Sequence, residues 1–383
     1  MCRTPCTLSS RPGPSPTYSL AVTSRASEPE RDSRARSDTG QIADRLRSKS
    51  SQVQGPGGSP LYVQLLEHAA RDAEAAGPSF DVLREHAEEP PGSALALRFL
   101  AAVHRLVLEG AAPSLTRHYP SAGGDLGPDG AWPIFHSVLE EHRDRLRELV
   151  ARPCQTNEVG RCAALLPGFL AVANDYGLPL RILELGSSAG LNLNWDRYRY
   201  EGNGWDVGPG DSRVQISGAI ESAPPAHSSE LLVIERRGCD ATPLDPVDPD
   251  TRVALRSCVW ADHLQRLDLL DAALDVAREH PPPVDRADAC DWLESKLTQR
   301  AHGIATVVFH SILWQYLDDA HRTRLRTLLA GAGSEASADS PLAWLRMEPA
   351  GELASVMLTT WPGGDERVVA RSGYHGRPVR SLQ

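Results

Sequence analysis

The chain has 383 residues, with 40 lysines and arginines against 50 acids and a net charge of −10. That length accommodates one large domain or two, and the acidic balance argues against a nucleic-acid partner, because duplex affinity comes mostly from cationic phosphate contacts. No apolar run reaches the roughly 20 residues that a membrane helix needs, so no membrane partner is expected either.

Residues 1–58 differ in composition from the rest. They are rich in Ser, Arg, Pro and Gly and carry nine lysines or arginines against five acids, which leaves the body at a net −14. So few large apolar groups cannot offset the entropy of ordering, and the stretch reads as a disordered tail. It has no continuous apolar core of the kind a secretory signal requires, and Glu28, Glu30, Asp32, Asp38 and Asp44 argue against a transit peptide. The seven cysteines show no C-x-x-C and no zinc-ligand spacing, so no metal site is expected. An odd count without a signal peptide implies reduced thiols and a cytoplasmic location.

Residues 59–178 read as a helical layer. Ser59 followed by Pro60 is a helix start, and Leu61, Leu65, Leu66 and Ala69 follow at helical spacing. Further helices are expected over 80–88, 94–108, 132–150 and 159–174, the last ended by Gly177 and Pro179.

From 179 to 383 strands and helices alternate, the pattern of a parallel α/β sheet. Strands are expected at 181–185, 231–235, near Val284, at 305–310 and at 342–347, with a β-hairpin insertion near 198–217. Helices are expected at 260–279, 288–299 and 319–329, and an antiparallel hairpin of 353–360 with 367–371 closes the chain. The expected fold class is therefore α/β: a Rossmann-like, mostly parallel sheet with a C-terminal antiparallel hairpin, preceded by the helical layer and the tail.

The run from Leu180 to Leu193 carries most of the chemistry. An apolar strand ends in Glu184, and Gly186 and Gly190, four apart, open what reads as a helix. A strand that leaves a glycine turn as a helix presents unpaired backbone amides to one spot at the carboxyl edge of the sheet. A structural turn without a ligand is the plainer alternative.

Glu184, Gly186, Ser188 and Gly190 resemble the first motif of class I S-adenosylmethionine-dependent methyltransferases, with serine in the middle glycine position. The resemblance implies that the glycines line the cofactor and that Glu184 orders the turn or reaches the methionine ammonium. Asp240 resembles the second motif, an acceptor for the ribose hydroxyls, although it lies about fifty residues beyond Gly190, where about 20 is usual. Asp288 resembles the third, an acceptor for the adenine amino group. His310 sits where the family places its fourth motif and is a candidate general base. A turn aspartate, a helix cap and a hydrogen-bonded core histidine are the respective structural alternatives. Asn157, Glu158 and Arg161, ahead of the first strand, and Asn192, after the glycine turn, are second-tier site candidates. The resemblance implies S-adenosylmethionine as cofactor and a small-molecule substrate; the sequence sets no oligomeric state.

The signatures QTNEVGR, ELGSSAGLNLNWDRYRY, GCDATPLD, TVVFHSILWQYL, PLAWLRMEP and LTTWPGG further resemble an uncharacterised bacterial family, domain of unknown function 2332, over nearly everything after the tail. Two rival functions stand. Gly186 to Gly190 also spells G-x-S-x-G, the nucleophile elbow of a serine hydrolase, with Ser188 as nucleophile, His310 or His375 as base and Asp288 as orienting acid. Glu184 two residues before the glycine and the bulky residues after Gly190 count against it. The other rival is a non-catalytic Rossmann-like module that binds a nucleotide or a partner. A dinucleotide oxidoreductase lacks its third glycine.

Overall fold

Ser59 is where the helical layer takes shape: its hydroxyl accepts from the amide of Tyr62 at 3.1 Å and donates to Asp262 at 2.8 Å. The computed structural model describes residues 28–55, 57–224 and 231–382, residues 28–37 and Pro91 by their backbone alone. Among the described residues seven α-helices precede the first strand: α1 Glu28–Gln52, α2 Pro60–Glu74, α3 Pro78–Leu83, α4 Leu95–Leu108, α5 Ala131–Glu141, α6 Arg143–Val150 and α7 Arg161–Tyr176. The one helix expected over 132–150 is two, broken at His142 (φ −110°, ψ 22°).

The tail expected over 1–58 extends too far. Ile42, Ala43 and Leu46 of α1 are fully buried in one core with Leu65, Leu66, Phe99 and Phe135. They recur at helical spacing and so form a narrow apolar stripe. An average over 58 polar residues dilutes such a stripe. Residues 1–27 lie outside the described residues.

The second half is built on an eight-stranded sheet. In chain order the strands are β1 Leu180–Leu185, β2 Arg199–Gly202, β3 Trp205–Val207, β4 Gln215–Ser217, β5 Val233–Asp240, β6 Val284–Arg286, β7 Ala305–Ser311, β8 Leu342–Ala350, β9 Leu353–Trp361, β10 Asp365–Ser372 and β11 Val379–Ser381. The helices between them are α8 Pro249–Cys258, α9 Leu264–Glu279, α10 Ala289–Leu297 and α11 Asp319–Ser334. The sheet order is β11-β10-β9-β8-β7-β1-β5-β6. β6, β5, β1, β7 and β8 run parallel, and β9, β10 and β11 follow antiparallel. β1 is buried along its whole length, as a strand covered on both faces must be. Ile182 packs with Phe169 of α7, whereas Leu183 and Leu185 pack with Leu293 of α10 and Leu325 of α11.

After β1 the chain moves outward to β5 and β6 on one side, then crosses back to β7 on the other. The connections that leave β1 and β7 therefore diverge, and a crevice opens at their carboxyl ends.

The segment after the glycine turn is not the expected helix. Leu191–Arg197 forms 3-10 turns interrupted at Asn194. The Tyr198 hydroxyl donates to the Leu191 carbonyl at 2.5 Å and the Tyr200 hydroxyl to the Trp195 carbonyl at 2.8 Å. Side chains thus take acceptors that a continuing helix needs, while Trp195 stacks on Phe169 at 4.0 Å and 4°. The insertion holds the expected hairpin, β2 antiparallel to β3, and β4 extends it on the other side of β2, parallel to β2, into a separate three-stranded sheet. Among the described residues no helix is long and apolar enough to cross a membrane.

Candidate functional site

The turn after β1 is built from left-handed residues. Gly186, Ser188 and Gly190 have φ of +69°, +55° and +72°. Its amides do not face open space as the sequence leads one to expect. Gly186 and Ser187 both donate to the Cys239 carbonyl (2.9 and 3.0 Å), Gly190 to the Ser187 carbonyl (2.7 Å) and Leu191 to the Asn157 side chain (2.9 Å). The Ser188 amide donates to Asp240 at 2.8 Å. The turn is therefore clamped by the end of β5 and by Asn157. What it offers a ligand is side chains.

Those side chains surround a cavity of about 390 Å³ at the carboxyl ends of β1, β5 and β7. Eight of the twelve residues singled out in the sequence line it: Asn157, Arg161, Glu184, Gly186, Ser188, Asn192, Asp240 and Asp288. Gly190 does not. A side chain there would come within 2.7 Å of Val284 and 2.9 Å of Pro282, so this glycine serves the packing of the turn against β6.

Glu184 is the most exceptional group in the cavity. It is only 3% exposed, and its Oε2 has no hydrogen-bond partner among the described residues. Burial pushes its carboxyl well above the usual range, and the neighbouring Ser187, Arg161 and Asn192 offset that only in part. A further cation placed against the free oxygen would favour the charged form of this carboxyl and offset the cost of its burial.

Asp240 uses each oxygen once: Oδ2 accepts from Ser188 and Oδ1 from Thr242 at 2.9 Å. A carboxylate oxygen has lone pairs for a second donor, so Asp240 both holds the turn and faces the cavity as an acceptor pair. Asp288 caps α10, with Oδ1 accepting from Cys290 (2.8 Å) and Asp291 (3.1 Å); its Oδ2 lies 3.5 Å from His321 Nε2. Arg161 donates to the carbonyls of Tyr374 (3.1 Å) and Ser311 (3.4 Å) and brings the cavity's positive charge. Asn192 accepts from the Cys162 thiol at 3.2 Å.

Glu158 lies outside the cavity wall. It is held in a buried cluster by Arg266 (2.5 and 2.9 Å) and His375 (3.1 Å). Burial alone would raise its pKa, but Arg266, His375 and Arg161 together hold the carboxyl far below the usual range.

His310 is not the general base expected from its position. It is fully buried. Its Nε2 accepts from the Trp344 indole at 3.1 Å, and an indole N–H can only donate. Nδ1 therefore carries the proton and donates to Glu348 at 2.7 Å. No ring nitrogen is left for a substrate. Strand alternation explains the placement: Phe309 packs on the Ile182 face of the sheet and Val308 on the opposite one, where His310 meets Trp314 and Trp344.

Four residues escape the sequence reading. Glu348 also accepts from the amides of Leu313 (2.9 Å) and Trp314 (3.2 Å) and so shapes the loop after β7. Within that loop Ile312 has φ +53°, a costly conformation for a β-branched residue and one that clusters at functional sites. Tyr316, 71% exposed, forms part of the rim, as does Gln155. All four fall within the family signatures, Gln155 in QTNEVGR, Ile312 and Tyr316 in TVVFHSILWQYL and Glu348 in PLAWLRMEP, but no local pattern gives any of them a role.

Ser188 combines a left-handed backbone with a buried hydroxyl that has no partner among the described residues. Ser188→Gly removes both costs and is expected to stabilise the fold by about 1 kcal/mol. Equilibrium unfolding in denaturant checks this; a lower midpoint would mean that the hydroxyl has a partner in solution.

Among the described residues no group of three or more His, Cys, Asp or Glu side chains is arranged to hold a metal ion. The family described as "Uncharacterized protein conserved in bacteria (DUF2332)" matches residues 44–380. No curated protein and no solved structure matches the chain.

Proposed function

We propose that this chain, which belongs to the DUF2332 family, binds an S-adenosylmethionine-type cofactor in the cavity at the ends of β1, β5 and β7 and is a methyltransferase-like protein acting on a small molecule. The observation that carries the reading is the unpartnered, buried Oε2 of Glu184. An ammonium group there turns a penalised acid into a satisfied ion pair. The parallel strands β6-β5-β1-β7-β8, with the acid at the end of β1 and an acceptor pair at the end of β5, support a Rossmann-like assignment in which the ligand lies across the crevice.

The other residues fit the same ligand. Asp240 keeps an acceptor site on each oxygen for a vicinal diol. Asp288 retains Oδ2 beyond its capping duty as an acceptor for an exocyclic amine, and Tyr316 offers an exposed ring on which a purine can stack. Arg161 pairs with a ligand carboxylate through guanidinium donors that protein carbonyls leave free. The cavity's volume falls within the range of small-molecule sites. When bound, the cofactor supplies an electrophilic methyl group on sulfur. The chain's own contribution is to hold the ligand's two ends and to exclude water with Leu313 and Leu317.

Isothermal titration with S-adenosylhomocysteine tests the reading. The unmutated protein is expected to bind it. Asp288→Asn, which keeps the cap, and Tyr316→Ala, at an exposed position, are each expected to weaken binding about tenfold. No binding by the unmutated protein, or full affinity in both variants, would contradict the assignment. Binding without any methyl transfer would favour a non-catalytic module instead.

One observation favours the serine hydrolase: Ser188, at φ +55° with an unpartnered hydroxyl, lines the cavity. Against it, no histidine is among the lining residues, so the serine lacks the base that nucleophilic attack requires. Labelling by a fluorophosphonate probe that Ser188→Ala abolishes would reverse this order.

A further inference from the structure

A second cavity, of about 330 Å³, lies between α4 and α8 and shares a wall with the first. Pro153, Cys154 and Gln155 line both. Its other walls come from α4, the end of α6, the length of α8, and Thr242 and Leu244 after β5.

Ala101, Ala102, Leu149, Leu244 and Ala254 give it apolar walls. Set into it are three arginines. Arg105 is paired with Glu109 and Asp250. Arg98, 9% exposed, is paired with Glu89 through one terminal nitrogen, while its Nε is buried without a partner among the described residues. The side chain of Arg152, exposed at the mouth, has no ion-pair or hydrogen-bond partner among the described residues. Asp250 is the one acid among the lining residues. At the shared wall, Gln155 donates to Thr242 (2.7 and 3.1 Å) but keeps a buried Oε1 with no partner among the described residues.

We propose that this second cavity binds an amphiphilic carboxylate. The apolar body lies along α4 and α8, the carboxylate is held at Arg152 and Arg98, and the far end approaches the first cavity past Gln155. The reasons are chemical. An apolar hollow with a few convergent polar groups is the usual form of a small-molecule site. Glu109, Glu148 and Asp250 line the adjoining hollow with Arg152, but none of them forms an ion pair with it among the described residues, and the planar fork of a guanidinium suits a carboxylate. The buried Nε of Arg98 and Oε1 of Gln155 are polar atoms that bear a desolvation cost until a ligand or its water meets them. That this ligand is the co-substrate of the first cavity rests on the function proposed above; that it binds does not.

Isothermal titration with octanoate and its uncharged counterpart octanamide tests the inference, with S-adenosylhomocysteine titrated in parallel. Octanoate is expected to bind the unmutated protein at least about tenfold more tightly than octanamide does. Arg152→Ala, at an exposed position, is expected to remove that advantage. Ala254→Trp, which fills the hollow, is expected to abolish octanoate binding, and both variants are expected to retain S-adenosylhomocysteine affinity within about twofold. Failure of octanoate to bind, equal affinity for octanamide, or unchanged octanoate affinity in both variants would overturn the proposal. If octanoate binds and S-adenosylhomocysteine does not, the second cavity stands and the cofactor reading falls. If S-adenosylhomocysteine binds and octanoate does not, the cofactor reading stands and the second cavity falls.

Discussion

Glu184→Gln is expected to weaken S-adenosylhomocysteine binding about a hundredfold, because truncating one partner of a buried, hydrogen-bonded charge pair costs about 2–5 kcal/mol. The same substitution carries a protonic signature. In the free protein burial raises the Glu184 pKa well above its ordinary value of 4.5, so at mildly acidic pH the folded protein holds a proton there that the unfolded chain has released. An ammonium ligand expels that proton, and the apparent binding enthalpy then depends on the ionisation enthalpy of the buffer. The glutamine variant has no proton to lose at this position, so the contribution vanishes. Stability moves in a corresponding direction. A raised folded pKa means stability is highest below about 4.5 and falls as pH rises towards the folded value. Glu184→Gln is expected to remove that decline and to be as stable as the parent, or more so, at neutral pH. Titrations in two buffers together with denaturant melts at two pH values check both effects. Equal ligand affinity in the variant and the parent would contradict them.

Arg266→Ala is expected to cost about 3–5 kcal/mol of stability, the usual loss when one member of a buried ion pair is removed and its partner stays charged and buried. The partner is Glu158, which Arg266 contacts at 2.5 and 2.9 Å and which adjoins Asn157, the residue that holds the Leu191 amide. The carboxyl of Glu158 is held below its ordinary value. Its contribution is therefore present above about pH 4.5 and is lost as pH falls through the range below it. The variant is expected to show a smaller acid-induced loss than the parent. Urea unfolding at pH 7 and pH 4 measures both quantities; a loss under about 1 kcal/mol at pH 7 would mean that solvent reaches the cluster.

Much of the site is legible because strand ends announce themselves. Glu184 closes an apolar run and Asp240 stands before a Thr-Pro turn, and parallel pairing of β1 with β5 brings Glu184 opposite Gly238, two residues from Asp240. The long interval between Gly190 and Asp240 is taken up in part by β2, β3 and β4, a small sheet of their own. What stays hidden depends on distant partners. The turn amides are claimed by Asn157, 34 residues before Leu191, and by Asp240, 52 residues after Ser188. No local pattern reports such pairings.

His310 misleads for a different reason. Its strand is legible, but whether it meets the cavity or the opposite face depends on the parity of the strand and on Trp344 one strand away. The stripe of Ile42 and Leu46 is lost to averaging over a polar stretch. The helix expected after Gly190 is pre-empted by tyrosine hydroxyls, a tertiary override of local propensity.

The account stands on Glu184 as a receptor for a cationic group. The most direct measurement is a crystal structure of the protein with S-adenosylhomocysteine bound. The account predicts the ligand's ammonium nitrogen within about 3 Å of Glu184 Oε2, at hydrogen-bond distance, with the ribose at Asp240. A ligand seated elsewhere, or an ammonium paired with another acid while Glu184 stays unpaired, would contradict it.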